Sequence, residues 1–440
     1  MEGFILLIYF FIIVLLVKIY KQENVHKFFS FLLFLKFTLW TFLPVLISVF
    51  DWELADNISF RTLPYNVYVT YVLYDALYLL AIHTIFYLLI SKFNTSKLTF
   101  FTGNFQVSSF LLRLIIFFSI IIIILVIIVS NYDYIELNDV DVDKPFINLI
   151  AFAEGYAVAA ILSIILFFRQ NISKKLFFLL HVLYLIYSVK LTLLGSRIAI
   201  IGPLILYMYY YFFQTGLGKK LFLTIPVVLF SVGVISIMPV LSSLRNDKIS
   251  FSDVLNNTNS IDTEIILREL ITKTNGVYYG AVLCEKDGIS KAGINPYVNS
   301  LVAIIPGFIL KNKPVPTSSD GTIMGIPSRV AGSYIVLNST IFNVGLADSS
   351  VALWHGGLIG LIFNVLFASL IMIFISNNLQ SGKIYSILVS FMFIKFPVLV
   401  INGTFDGFLR DFPRFLLVYI LLFVFMHFLR FYNVISTEKK

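Results

Sequence analysis

Continuous apolar runs of about 20 residues recur along the whole chain, and they constrain its fold more than any other feature. A helix of that length, about 20 residues, crosses the roughly 30 Å hydrocarbon core of a bilayer. Because the runs do not alternate with polar residues, they do not suggest an outer-membrane barrel. Only 13% of the residues are charged and 59% are hydrophobic, whereas soluble domains carry about 25% charged residues. The sequence therefore predicts an all-α polytopic membrane protein.

The apolar runs predict about 11 transmembrane helices. Their expected positions are 3–20, 28–50, 66–90, 109–130, 146–168, 176–194, 198–214, 221–241, 357–376, 385–402 and 415–432. The first run has no basic segment before it and no small-residue cleavage site after it, so we expect a retained helix and not a signal peptide.

The loops between these helices alternate in charge. One set is basic: Lys18, Lys21 and Lys27; Lys92 and Lys97; Arg169, Lys174 and Lys175; Lys219 and Lys220; Lys383; Lys439 and Lys440. The other set is acidic or mixed: Asp51, Glu53 and Asp56; Asp133, Glu136, Asp139, Asp141 and Asp143. The positive-inside rule assigns the basic set to the cytoplasm. The N-terminus is therefore expected outside and the C-terminus inside.

Three regions are predicted from this topology. Residues 1–241 form a transmembrane bundle of eight helices, 242–356 form a large outer loop, and 357–440 hold the last three helices and a cytoplasmic tail. A loop of more than 100 residues exceeds ordinary connections and indicates a function. Within it, 262–283 has helical spacing and 300–310 is apolar enough to pack on the bundle.

Several classes of function are excluded or disfavoured by composition. The net charge of +8 does not indicate nucleic acid, because many basic residues set the topology. The single cysteine, Cys284, excludes a disulfide framework and a cysteine metal cluster, and the five histidines are scattered. Asp139, Asp141 and Asp143 lack a following Gly or Glu at calcium-loop spacing, which favours a solvated acidic loop. We therefore predict no metal and no cofactor.

Cations gather at the outer side, where the topology rule does not place them. They are Lys190, Arg197, Arg245, Arg268, Lys313, Arg329, Lys395, Arg410 and Arg414. Several cations on one face suit a polyanion, and arginine grips phosphate oxygens with two hydrogen bonds. At the outer leaflet, a lipid-linked pyrophosphate is the obvious polyanion. The alternative is pairing of some cations with Glu154 or with anionic lipid headgroups.

Two polar pairs are further candidates. Asp348 and His355 lie near the end of the large loop, where either could act as a base or orient a sugar hydroxyl. The alternative is that they only mark the start of a helix. Asp75 and His83 lie two turns apart on roughly one face of the predicted third helix. They could form a proton relay or a satisfied polar pair inside the bundle.

Four stretches resemble the bacterial O-antigen polymerases, the Wzy-type polysaccharide repeat-unit polymerases, including their enterobacterial common antigen branch. The first, LTLLGSRIAII (191–201), has a Gly-Ser-Arg turn between two helices. The second, AIIPGFILKNKP (303–314), has an Ile-Pro segment that ends in a basic residue and proline. The third, GLADSSVALWHGGLIGLIF (345–363), enters the helix after the large loop. The fourth, GTFDGFLRDFPRFLL (403–417), has two arginines four residues apart. Where the family often has a glutamate before the third stretch's Gly-x-x-Gly helix, this chain has only Asp348.

The resemblance implies a glycosyltransferase C-like bundle in the bacterial inner membrane that works without a metal. Such enzymes move a growing oligosaccharide from undecaprenyl pyrophosphate onto the non-reducing end of another lipid-linked repeat unit at the periplasmic face. Arginines of the outer loops grip the pyrophosphate, and a chain-length regulator protein is an expected partner. On this basis Arg197, Arg410, Arg414, Arg268, Arg245, Arg329 and Lys190 are the predicted pyrophosphate ligands.

Two other functions remain open. An O-antigen ligase shares the donor and the general fold but uses the lipid A core as acceptor, and the sequence separates it poorly from a polymerase. A flippase for lipid-linked sugars should place charges along a central path and show two related halves, often with broken helices. This chain shows no internal repeat, and its cations gather on one side.

Overall fold

The structure is a computed structural model, and it describes residues 2–19, 24–42, 46, 63–92, 109–129, 145–167, 172–193, 276–291, 293, 331, 346–379 and 424. All regular structure within these residues is helical, and none of them forms a strand. The described helices divide between two compact units.

The first unit contains helices from both ends of the described chain. They are α1 (Glu2–Ile19), α2 (Asn24–Lys36), α3 (Tyr65–Lys92), α7 (Gly276–Asp287) and α8 (Asp348–Leu379), the last as far as Asn377. A π-helical segment, Phe37–Phe42, continues α2 directly. Helix α1 packs on α2 and α3, and α7 packs on α3 and on the π segment. Short π segments are rare and frequently lie at functional sites.

The second unit contains α4 (Ser109–Val129), α5 (Pro145–Phe167) and α6 (Lys174–Leu193). Helix α4 packs on α5, and α6 contacts both. Pro145 occupies the first position of α5, where its missing N–H costs no intrahelical hydrogen bond.

Apolar side chains remain exposed on several helices, and this is the expected pattern of lipid-facing surfaces. Two described helices, α3 and α8, are long and apolar enough to span a membrane. In α1, exposed side chains such as Phe4 and Phe10 alternate with buried ones such as Ile8 and Ile12. In α8, Leu358 and Ile359 are more than two-thirds exposed. Such an apolar surface is costly in water and matches hydrocarbon.

Helix α8 is broken at Gly356 and Gly357. Gly356 has φ −144° and ψ 20°, and Gly357 has φ +57° and ψ −142°. The positive φ favours glycine, and a side chain at Gly357 would also meet the hydroxyl of Ser290 at 2.7 Å. The break removes the helical partner of the Leu353 carbonyl, which accepts a hydrogen bond from the Ser290 amide instead, at 3.0 Å. The Leu353 carbonyl therefore keeps a hydrogen-bond partner although the helix is broken.

Helix α7 runs beside the first half of α8 and is fastened to it at both ends. The Ala347 amide donates to the Gly276 carbonyl at 2.9 Å, and the Trp354 indole donates to Asp287 at 2.6 Å. Between them, the Cys284 thiol donates to the Ser350 carbonyl at 3.3 Å. Burial raises the pKa of this thiol to about 12, so it remains protonated as a donor at neutral pH.

Five predicted helices, those at 3–20, 66–90, 109–130, 146–168 and 176–194, are confirmed to within a few residues as α1, α3, α4, α5 and α6. The helix predicted at 28–50 begins earlier, at Asn24, and becomes π-helical at Phe37. The helix predicted at 357–376 begins at Asp348, because the glycine pair breaks the helix and does not start it. The predicted helices at 198–214, 221–241 and 385–402, and all but one residue of 415–432, lie outside the described residues. So do most residues of the predicted loop at 242–356.

The close approach of α7 to α8 depends on Gly280. A Cβ atom there would lie 2.3 Å from the Cβ of Ser350, a distance that real structures do not tolerate. We expect Gly280→Ala to lower the free energy of unfolding by about 1–3 kcal/mol through overpacking. The matched control is Gly3→Ala, because nothing lies within 4 Å of that position. Unfolding midpoints in detergent measure both, and equal midpoints would contradict the packing described for Gly280.

Candidate functional site

The first unit contains an ion pair in its interior. The Lys36 ammonium, at the end of α2, contacts Oδ2 of Asp348, the first residue of α8. Lys36 is 1% exposed and Asp348 is 5% exposed. Burying an ion costs several kcal/mol, so a buried pair of this kind is a candidate functional site.

A second carboxyl group, Asp75 of α3, lies in the same cluster and is 2% exposed. Its Oδ2 accepts a hydrogen bond from the Thr41 hydroxyl at 2.5 Å, and its Oδ1 accepts one from the Ser349 hydroxyl at 2.6 Å. Each carboxyl oxygen of Asp75 therefore has a hydroxyl partner. The cluster of Lys36, Thr41, Asp75, Asp348 and Ser349, here called the polar cluster, therefore joins α2, the π segment, α3 and α8.

The ion pair bears on the role predicted for Asp348. The Lys36 ammonium contacts Oδ2 of Asp348, so the geometry favours a carboxylate that an ion pair holds in place over a free base. Asp348 also lies at the N-terminus of α8, where the helix dipole favours negative charge. The arrangement is therefore suited to holding and orienting a substrate group such as a sugar hydroxyl.

His355 lies on the same half of α8, seven residues after Asp348 and next to the break at Gly356. Seven helical residues span about 10 Å, so the two backbones lie two turns apart along the axis. His355 is 2% exposed, and its ring lies 5.0 Å from that of Trp354. The structure thus places both predicted catalytic residues in the interior of the first unit.

Lys190 is the one predicted pyrophosphate ligand within the described residues, and it belongs to the second unit. Its ammonium, on α6, donates to the backbone carbonyl of Ile127 in the last turn of α4. The last carbonyls of a helix lack intrahelical partners, and lysine is a common group to satisfy them. This contact gives Lys190 a structural role in joining α4 to α6.

The six predicted arginine ligands lie outside the described residues. They are Arg197, Arg245, Arg268, Arg329, Arg410 and Arg414. Their proposed roles remain predictions. Glu154, which the sequence offers as a partner for outer cations, accepts a hydrogen bond from the Tyr187 hydroxyl at 2.5 Å.

Asp75 and His83 do not bond to each other, although both are buried on α3. Nε2 of His83 is 2.7 Å from the Ser30 hydroxyl of α2, whereas Asp75 belongs to the polar cluster. Each of the two side chains is thus hydrogen-bonded to residues of other helical segments. The acidic loop at 139–143 lies outside the described residues.

Sequence reasoning missed Lys36, Thr41 and Ser349 as members of a site. Lys36 carried a usable signal, because it is a charged residue in the middle of the apolar run predicted as the second helix. Thr41 and Ser349 carried no such signal in the sequence, because hydroxyl residues are common in membrane helices.

Within the part of the chain that the structure describes, no group of three or more His, Cys, Asp or Glu side chains could hold a metal ion. Comparisons with models of known protein families, with curated proteins and with solved structures find no match to this chain.

Proposed function

We propose that the chain is a polysaccharide polymerase that joins undecaprenyl-pyrophosphate-linked repeat units at the periplasmic face of a bacterial inner membrane. It would transfer the growing chain from its lipid pyrophosphate to a hydroxyl at the non-reducing end of another lipid-linked unit. The bond between the sugar anomeric carbon and pyrophosphate breaks, a glycosidic bond forms, and the acceptor hydroxyl loses its proton. Undecaprenyl pyrophosphate leaves. No metal or other cofactor takes part in the proposal.

The observation that carries the proposal is the polar cluster at the start of α8. Residues 345–363, which resemble the polymerase family, include Asp348, its neighbour Ser349 and the break at Gly356–Gly357. Asp348 is fixed by Lys36, and the same half of α8 is fastened to α7, a helix from the predicted large loop. A rigid buried polar group where a loop enters a membrane helix is what a preorganised site requires.

Each predicted site residue has a part in this proposal. Arg197, Arg410, Arg414, Arg268, Arg245 and Arg329 are proposed to bind the pyrophosphate, whose departure needs charge stabilisation more than proton transfer. Asp348, held as an anion, supports or orients the acceptor side of the site, and His355 is the remaining candidate base. Lys190 is proposed only as a secondary ligand, because its ammonium already bonds to the Ile127 carbonyl.

A flippase for the same lipid-linked sugars is the second candidate, and one observation favours it. Transporters often place charged groups beside broken helices within the membrane. The first unit has both, in the Lys36–Asp348 pair and in the break of α8. The two candidates share the lipid-linked substrate and differ in whether a covalent bond is made.

Deleting the gene in its own host separates these candidates and the ligase. Loss of a polymerase leaves single repeat units on the lipid A core, and loss of a flippase leaves no repeat units at the surface. Loss of a ligase leaves long polymer on undecaprenyl pyrophosphate. We expect the deletion strain to carry single repeat units on its lipid A core. Reintroducing the wild-type gene should restore long chains. Absence of surface repeats, or polymer retained on the lipid carrier, would contradict the proposal.

A further inference from the structure

The polar cluster holds two carboxyl groups and one ammonium. Lys36, Asp75 and Asp348 are the charged side chains with less than 9% exposure among the described residues. If all three were ionised, the cluster would carry a net negative charge within an apolar bundle. An uncompensated ion in such surroundings is costly, so a cluster of this composition favours one additional positive charge.

Within the described part of the chain, only one of the two carboxyl groups is in an ion pair. Lys36 is in contact with Asp348, and the described residues provide no ion pair for Asp75. Asp75 bonds to two neutral hydroxyl groups, one from Thr41 and one from Ser349. Around it lie Lys36 of α2, Asp348 of α8, Tyr68 of its own helix and, beyond Tyr68, Tyr278 of α7. None of these besides Lys36 brings a positive charge.

We propose that Asp75 is a proton-binding site within the membrane-spanning first unit, with Thr41 and Ser349 as its hydrogen-bonding partners. A hydroxyl group can donate to a carboxylate or, after rotation, accept from a carboxylic acid. Thr41 and Ser349 therefore satisfy Asp75 in both states without movement of heavy atoms. A bound proton brings the net charge of the polar cluster to zero. Its release leaves a negative charge on Asp75, which strengthens the hydrogen bonds from Thr41 and Ser349.

The site connects proton binding to the geometry of α8. Thr41 belongs to the π segment, and Ser349 belongs to the first half of α8, beside the ion-paired Asp348. An ionised Asp75 holds these two elements with charge-assisted bonds, and a protonated Asp75 holds them with weaker ones. Proton occupancy at Asp75 thus controls how tightly the half-helix that carries Asp348 and His355 is fastened. Proton binding at Asp75 requires no polymerase activity.

A lipophilic carbodiimide tests the site, because it reaches groups inside a membrane bundle and reacts with carboxyl groups only when they are protonated. Full-length protein in nanodiscs is treated with dicyclohexylcarbodiimide over a range of pH, and the peptides that contain Asp75 and Asp348 are examined by mass spectrometry. We expect an adduct at Asp75 at mildly acidic and neutral pH, its loss at alkaline pH, and none at Asp348. Asp75→Asn should abolish that adduct.

The reagent control is Lys36→Met, which removes the counter-charge of Asp348 and should make Asp348 reactive as well. An unlabelled Asp75 in wild-type protein at acidic pH, where the other protonated carboxyls of the chain are labelled, would overturn the proposal. Protection of Asp75 by sodium at constant pH would also overturn it, because the site would then bind a metal cation. The wild-type measurement decides the question even if the Lys36 variant fails to fold.

Discussion

Replacing Lys36 with methionine is expected to destabilise the protein by about 3–5 kcal/mol, because it leaves Asp348 buried without its counter-charge. Asp348→Asn should be similarly costly, since it leaves the ammonium uncompensated. The double variant Lys36→Met/Asp348→Leu should be more stable than either single variant, because removing both charges also removes their desolvation cost. Unfolding by SDS in mixed micelles measures all three.

Lys18→Met is the matched control for this series. Lys18 is an exposed lysine of α1 whose ammonium lies 5.9 Å from the centre of the Tyr87 ring. A cation–π contact at an exposed site contributes about 0.5–1 kcal/mol, so the control should change stability little. If Lys36→Met and Lys18→Met unfold alike, the ion pair does not stabilise the first unit. Polymer made by the stable double variant would assign the pair a structural role alone.

Arg197 is expected to show the largest effect on activity. In the proposed site it binds pyrophosphate with two hydrogen bonds from its planar guanidinium. Lysine keeps the charge but loses this geometry and about 1–3 kcal/mol of charge-assisted hydrogen bonding. We expect Arg197→Ala to yield single capped repeat units and Arg197→Lys to yield severely shortened or absent chains. The measurement is the chain length of surface polysaccharide at matched membrane expression.

Arg113→Lys provides the control for a conservative change that should not matter. Arg113 is exposed on α4, a helix of the second unit. A topology anchor needs charge alone, so this variant should make polymer of normal length. Normal polymer from both Arg197 variants would remove the arginine from the site and would weaken the assignment of the other outer arginines to pyrophosphate.

The helices of the first 193 residues were largely predictable, because long apolar runs specify both the existence and the approximate ends of membrane helices. The break in α8 was less predictable. The Gly356–Gly357 pair predicted a boundary, but only the structure shows helix on both sides of it, with the freed Leu353 carbonyl bonded to Ser290.

The polar cluster could not be predicted, because its members come from segments far apart in the chain. Lys36 and Asp348 are separated by 312 residues, and Asp75 and Ser349 by 274. Periodicity within a helix indicates which residues share a face, but it does not indicate which faces meet. The sequence identified Asp75, His83, Asp348 and His355 as candidates. It did not indicate that Asp75 and His83 each bond to other helices and not to each other.

Reconstitution tests the central claim most directly. Purified protein in proteoliposomes is given undecaprenyl-pyrophosphate-linked repeat units in the presence of excess chelator, and both saccharide length and free undecaprenyl pyrophosphate are measured. The proposed polymerase should release one undecaprenyl pyrophosphate for each transfer and should lengthen the lipid-linked chains without added metal. Movement of the substrate across the bilayer without new glycosidic bonds, or chain growth that appears only after magnesium or manganese is restored, would contradict the account.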